Sequence, residues 1–134
     1  MDAPGPRLFR ILLEVDGIDH AVELYSTLLD NPGRRIHGGR HYFDCGDVIL
    51  GFVDVGPSAR EARRTSEYIY FAVADLEAVH QRATALGCLS DEDVHGESAG
   101  AIVVRPWGER SFYVVDPFGN RLCFVDETTL YTGR

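Results

Sequence analysis

A chain of 134 residues, 45% hydrophobic and 25% charged, has the size and composition of one globular domain able to bury a real core. Its net charge of −8 argues against nucleic acid or an anionic membrane surface as a partner. No run of about 18 apolar residues occurs, and the first ten, MDAPGPRLFR, lack the apolar centre of a signal peptide.

Residues 8–15, LFRILLEV, alternate as a strand, with Ile11, Leu13 and Val15 on one face and Arg10, Leu12 and Glu14 on the other. Asp16-Gly17 makes a turn and Asp19 is the expected cap of a helix. In that helix Ile18, Val22, Tyr25 and Leu29 recur at helical spacing, with Ala21 and Leu28 beside them, until Asn31-Pro32-Gly33 stops it. Two strands follow, Arg40 to Cys45 and Val48 to Val55, joined by the turn Gly46-Asp47. GPSAREARRTSE, from Gly56 on, is polar and charged and reads as a linker in which Arg60, Arg63 and Arg64 form a solvated turn of helix.

The pattern then repeats. Ile69, Phe71 and Val73 form one strand face, and Tyr68, Tyr70 and Ala72 the other. Asp75 is a good N-cap, Leu76, Val79, Ala83 and Leu86 make a helical stripe, and Gly87 ends it. The acidic SDEDVHGES, residues 90–98, lacks calcium-loop spacing and reads as a solvated loop or a cover. Strands are expected at Ala101 to Arg105, Ser111 to Val115 and Arg121 to Asp126, the last two joined by the turn Asp116-Pro117-Phe118-Gly119. Strand, helix and strands thus occur twice, which marks an internal duplication. In each copy one strand face is uninterruptedly apolar and belongs under a helix. The opposite face is mixed, and a face of that kind suits a cleft.

The stretches VDGIDHAVELYSTLL, VADLEAVHQRATALG and PWGERSFYVVDPFGNRLCFVDE resemble the glyoxalase/bleomycin-resistance/extradiol-dioxygenase (vicinal oxygen chelate) superfamily. Trp107-Gly108, Arg110 and Asp116-Pro117-x-Gly119-Asn120 are most like its bleomycin-resistance branch. The resemblance implies an α+β domain of two tandem βαβββ modules, about residues 8–55 and 67–127 around a linker at 56–66, whose curved sheets close on a cleft, commonly in a homodimer. In metal-using branches, His or Glu ligands stand on the inner strand faces. Carried over by position, those ligands would fall at Arg10, Tyr68, Cys123 and Leu50 or Gly51, a set unable to make an oxygen/nitrogen site. No metal or other cofactor is therefore expected.

The candidate ligand-binding residues are Arg10, Leu12, Glu14, Phe52, Tyr68, Tyr70, Trp107, Tyr113 and Cys123. Arg10 and Glu14 supply charges and the tyrosines walls, unless those faces form a dimer seam. Trp107 either stacks on a planar ligand or caps the core. Cys123 would be a nucleophile only beside a base or cation; otherwise it is a packed small residue. His20, His37, His41, His80 and His95 are unclustered and are read as surface histidines. Cys45, Cys88 and Cys123 are odd in number and form no metal-type pair, which suits reduced thiols in the cytoplasm. The expected function is metal-independent binding or sequestration of a small organic molecule, cationic or aromatic. The alternatives are a glyoxalase- or dioxygenase-type enzyme with displaced metal ligands, or a regulatory module with a vestigial cleft.

Overall fold

The computed structural model describes residues 5–134. The chain divides into two compact units, one ending at Arg63 and the other beginning at Arg64.

In the first unit, β1 (Arg10–Val15) leads into α1 (Ile18–Leu28), then β2 (Arg34–Arg35), β3 (Arg40–Cys45) and β4 (Val48–Asp54). The sheet order is β1-β4-β3-β2, with β1 parallel to β4 and the other pairs antiparallel. In the second unit, β5 (Ile69–Val73) leads into α2 (Leu76–Leu86). A short hairpin follows, β6 (Asp93–Val94) and β7 (Glu97–Ser98), and then β8 (Val103–Val104), β9 (Arg110–Val115) and β10 (Arg121–Asp126). The second sheet has the order β5-β10-β9-β8, again with its first strand parallel to its last. The duplication is thus structural. The two helices begin at Ile18 and Leu76 and run for 11 residues each, and the two sheets share one pairing scheme.

Alternation decides which face each helix covers. Val15, Leu13, Leu50, Phe52 and Phe43 are buried on the α1 side of the first sheet, with Tyr25 of α1 at their centre. Tyr25 lies 4.3 Å from Phe52 and 6.5 Å from Phe43 between ring centroids. In the second sheet Phe112, Phe124 and Phe71 stack in sequence across the strands, at 5.5 and 5.2 Å. The α1 stripe is turned slightly from expectation. Ala21, Leu24 and Leu28 are buried, whereas Val22 and Leu29 are only partly so.

The helix starts differ from one another. Asp75 caps α2 by accepting from the Ala78 amide at 3.1 Å, as its position suggests. Asp19 does not cap α1. The N-cap is Gly17 at φ 146°, and the Asp54 carboxylate accepts from the Ile18 amide instead. Asp19 lies in the first turn and pairs with Arg35 at 2.8 Å. The turn before β10 forms as its residues require. Asp116 Oδ1 accepts from the amides of Phe118 and Asn120, both at 2.8 Å, and Gly119 takes φ 88°.

Four expectations need correction. The acidic stretch at 90–98 is tied down, with His95 and Gly96 both at positive φ in the tight turn between β6 and β7. The strand foreseen from Ala101 to Arg105 shrinks to β8. The linker has a 3₁₀ turn at Gly56–Ser58 and no α-helix, and it is pinned to β1. Arg60 holds both Glu14 carboxylate oxygens at 2.7 Å while the Arg63 amide donates to Oε1 at 2.9 Å. Nor is His41 a surface residue. It is buried in β3, its Nε2 2.9 Å from the Pro32 carbonyl, because its register with Phe52 puts it on the helix side.

These placements set two expectations. Phe52→Ala should lower stability by about 3–5 kcal/mol and Leu12→Ala by less than about 1 kcal/mol in urea unfolding, since only the first opens a core cavity. Comparable losses would contradict the burial of Phe52 beneath α1. Hydrogen bonding from Arg60, then from the Arg63 amide, holds the Glu14 carboxyl at about 2 rather than 4.5. A carboxyl lowered on folding stabilises above its unfolded value, and that contribution is lost as pH falls through the folded one. The Tm gap between wild type and Glu14→Gln should be steady above about pH 5, narrow below pH 4.5 and close near pH 2. A gap that does not change with pH would show that the pair adds nothing through ionisation.

Candidate functional site

The face of the first sheet opposite α1 carries Arg10, Leu12 and Glu14 of β1, with Gly51 and Tyr42 beside them in register. Arg10 is exposed and its guanidinium lies over the rings of Phe9 (4.9 Å) and Tyr42 (5.7 Å), so it is a surface cation and not a buried one. Leu12 is 43% exposed. A side chain at Gly51 would run into the Leu12 Cδ2 at 2.6 Å and the Tyr42 ring at 2.9 Å, which is why this strand has a gap there. Glu14 is held by Arg60 and is not offered to a ligand. Phe52 must be struck from the candidate residues on this face. Its pairing with Leu13 turns it toward α1, where it is fully buried.

The corresponding face of the second sheet is denser in chemistry. Tyr70 of β5, Cys123 of β10 and Tyr113 of β9 stand in one row across the strands. Tyr113, Cys123, Val125 and Ala99 form a small core of their own, with Tyr68 and Val94 packed against it. Tyr68 stands edge-on to Tyr113, centroids 4.6 Å apart, and donates its hydroxyl to Glu92 at 3.2 Å. Arg105, 2% exposed, closes the cluster. It donates to the Ser111 hydroxyl at 3.1 Å and to the carbonyls of Ser98, Ala99, Ala101 and Ser111, with its guanidinium 5.0 Å over the Tyr113 ring.

Burial sets the ionisation of this cluster. It pushes the Cys123 thiol up to about 11, outweighing hydrogen bonding by Ser111 and Tyr113 and the field of Arg105. Burial first, then the Cys123 charge, also raises the phenols of Tyr70 and Tyr113. The thiol is therefore a packed group that keeps its proton at neutral pH.

Next to this cluster the second unit has an open cavity of about 370 Å³, lined by Tyr70, Trp107, Glu109, Val125, Leu130 and Tyr131 among others. Glu109 binds both of its neighbours, Oε1 accepting the Trp107 indole N–H at 2.6 Å and Oε2 the Tyr131 amide at 2.9 Å. The ring of His95, at the hairpin turn, lies 5.1 Å from that of Trp107 and nearly perpendicular to it. Trp107 is a half-buried wall of the cavity, held by Glu109 on one side and met by His95 on another. The cavity unites Tyr70 and Trp107 from the expected set, while Tyr113 and Cys123 lie in the adjoining cluster. Glu109, Leu130 and Tyr131 escaped the sequence reading. The first sits in a turn where alternation gives no direction, and the other two lie past the last strand. The only signal was the close spacing of Trp107 and Glu109.

The metal that the resemblance implies in other branches fails on the donors present. Arg10, Tyr68, Cys123 and Gly51 occupy the mapped positions, while Leu50 faces α1. Among the described residues no three His, Cys, Asp or Glu side chains gather where an ion could be held. The three cysteines are free thiols, and in the native protein at pH 7.5 Cys88 and Cys123, both held at about 11, should resist a disulfide reagent for hours. In guanidinium all three should react at once, and a Cys123 labelled within minutes in the native fold would reinstate the nucleophile.

The family model described as the Glyoxalase/Bleomycin resistance protein/Dioxygenase superfamily matches residues 7–124. A search of curated proteins finds no match. Among solved structures, Oxidase ChaP-H1 is 19% identical, with 97% of this chain and 100% of that one covered and a TM-score of 0.75. A glyoxalase/bleomycin resistance protein from Albidiferax ferrireducens T118 is 18% identical over 87% of this chain and 95% of its own, with a TM-score of 0.70. A bleomycin-binding protein complexed with bleomycin is 18% identical over 91% and 98%, with a TM-score of 0.63. At such identities these likenesses establish the fold alone. No helix among the described residues is long and apolar enough to cross a membrane. On its sequence match and its duplicated βαβββ architecture, the chain belongs to the glyoxalase/bleomycin resistance/dioxygenase superfamily.

Proposed function

We propose that this chain binds and sequesters a small organic molecule without a metal, at the Tyr70–Trp107–Glu109 cavity of its second unit. One observation carries the reading. The cavity has aromatic and apolar walls with a single oriented carboxylate, the usual make-up of a small-ligand site, and its volume falls in the usual range. The groups beside it favour binding over chemistry. A thiol held at about 11 and phenols pushed upward are poor acids and bases near pH 7. The bleomycin-binding protein of like fold gives a precedent for a binding role. Sequestration needs affinity only, and micromolar binding corresponds to about −8 kcal/mol. We place the protein in the cytoplasm, where three unpaired thiols stay reduced, and as a homodimer. Leu8, Phe9 and Leu12, exposed by 63, 52 and 43%, are an apolar strip that a second copy would cover.

Trp107 is the chain's single tryptophan, so its fluorescence reports on the cavity directly. Titration with cationic, aromatic and thiol-conjugate compounds should give a saturable change at one molecule per chain for at least one class. Protein purified without chelator should carry well under one equivalent of Fe, Mn, Ni or Zn. A full equivalent of metal, or no response across the panel, would defeat the proposal.

A further inference from the structure

We propose that the occupant of this cavity is a compact organic ammonium ion. The proposal rests on the small-molecule reading above and adds the charge and size of the ligand.

Charge comes first. Glu109 is the only ionisable side chain lining the cavity apart from the two phenols, and its carboxylate is held by neutral donors, an indole N–H and a backbone amide. Among the described residues no guanidinium or imidazole forms an ion pair with Glu109, and the chain has no lysine to reach it. The adjacent Arg110 is committed to Glu77 and Asp126, and Arg105 to its ring of carbonyls. An anionic ligand would meet this charge as repulsion. A neutral apolar one would strip water from a carboxylate and give nothing back.

The walls choose among cations. Tyr70, Trp107 and Tyr131 line the same cavity as the carboxylate, and their electron-rich rings attract an alkylated ammonium that has little water to lose. A metal ion needs three or more donors, and among the described residues no such group gathers. The volume, about 370 Å³, matches a headgroup of a few carbons around nitrogen. Trp107 is fixed beforehand by Glu109 and His95, so little ordering is left to do on binding.

Choline and its neutral isostere 3,3-dimethylbutan-1-ol, which differ by one nitrogen-for-carbon exchange, test this with the full chain. Trp107 fluorescence and calorimetry should show choline binding at least about 10-fold more tightly than the alcohol. Glu109→Gln leaves an amide oxygen for the Trp107 indole and should erase most of that preference. Tyr131→Leu keeps the backbone amide on Glu109 and should weaken choline several-fold. Both variants are to be compared at unchanged unfolding midpoints. Equal binding of choline and the alcohol to wild type would overturn the ammonium proposal while leaving the small-molecule reading standing. A preference untouched by Glu109→Gln would also overturn it. So would a Trp107 signal that follows protein concentration and ignores choline, since the cavity would then be a contact between copies. Failure of choline together with the whole compound panel would remove both readings.

Discussion

Each four-stranded sheet in this protein has one helix to cover it, and every other feature follows from that shortage. A helix of 11 residues can shield one face, so the aliphatic and phenyl side chains collect there, in alternation along the strands. The opposite face must be managed by other means. The two modules, alike in topology, manage it differently. The first fills it with long and polar side chains: Arg10 laid over Phe9 and Tyr42, Leu12 against the bare backbone of Gly51, and Glu14 bound by Arg60. The second builds a small additional core from Tyr113, Cys123, Val125 and Ala99, covered by the inserted β6–β7 hairpin.

Arg105 is what makes that additional core stable. A buried guanidinium is costly unless its donors are satisfied, and among the described residues no carboxylate lies within ion-pair distance of this one. Four backbone carbonyls and one hydroxyl take its donors, and the Tyr113 ring takes its face. The carbonyls come from Ser98 at the end of β7, from Ala99 and Ala101 just after it, and from Ser111 of β9, so one side chain ties the end of the hairpin to the sheet. That connection fixes the loop carrying Trp107, since the Arg105 amide also donates to the Glu109 carbonyl at 2.7 Å. The duplicated scaffold supplies the row Tyr70–Cys123–Tyr113. The insertion and its arginine supply the wall beside it.

The sequence made the scaffold legible wherever alternation was clean. Ile11, Leu13 and Val15 against Arg10, Leu12 and Glu14, and their counterparts in β5, place both sheets and both helices. Tyr113 is assigned to its face by the same parity with Phe112 and Val114. Phe52 was not legible, because VILGFVD is nearly apolar throughout and has no period to read. Only its pairing with Leu13 sets the direction, and register is a property of two strands together. His41 is hidden for the same reason, through its pairing with Phe52. The Arg60–Glu14 pair spans 46 residues and Arg105 bonds to carbonyls, which every residue has, so neither leaves a pattern along the chain. Glu109 matters through what it touches. Nothing in its neighbours along the chain reveals that its two oxygens organise an indole and the tail at Tyr131.

The same shortage of cover shapes the chemistry of this face. To keep Tyr113 and Cys123 dry the second module removes water from groups that would otherwise ionise, and their protons become harder to lose. Arg105, the buried guanidinium among its described residues, is spent on backbone oxygens and the Ser111 hydroxyl. What is left facing the cavity is shape, ring surface and the Glu109 charge, arranged by hydrogen bonds already made before any ligand arrives. In the binding role proposed above, a site so constituted would discriminate by charge and fit. An acid or base catalyst needs a group able to exchange its proton near neutrality, and Tyr113 and Cys123, the buried candidates on this face, are the two that burial holds furthest from doing so.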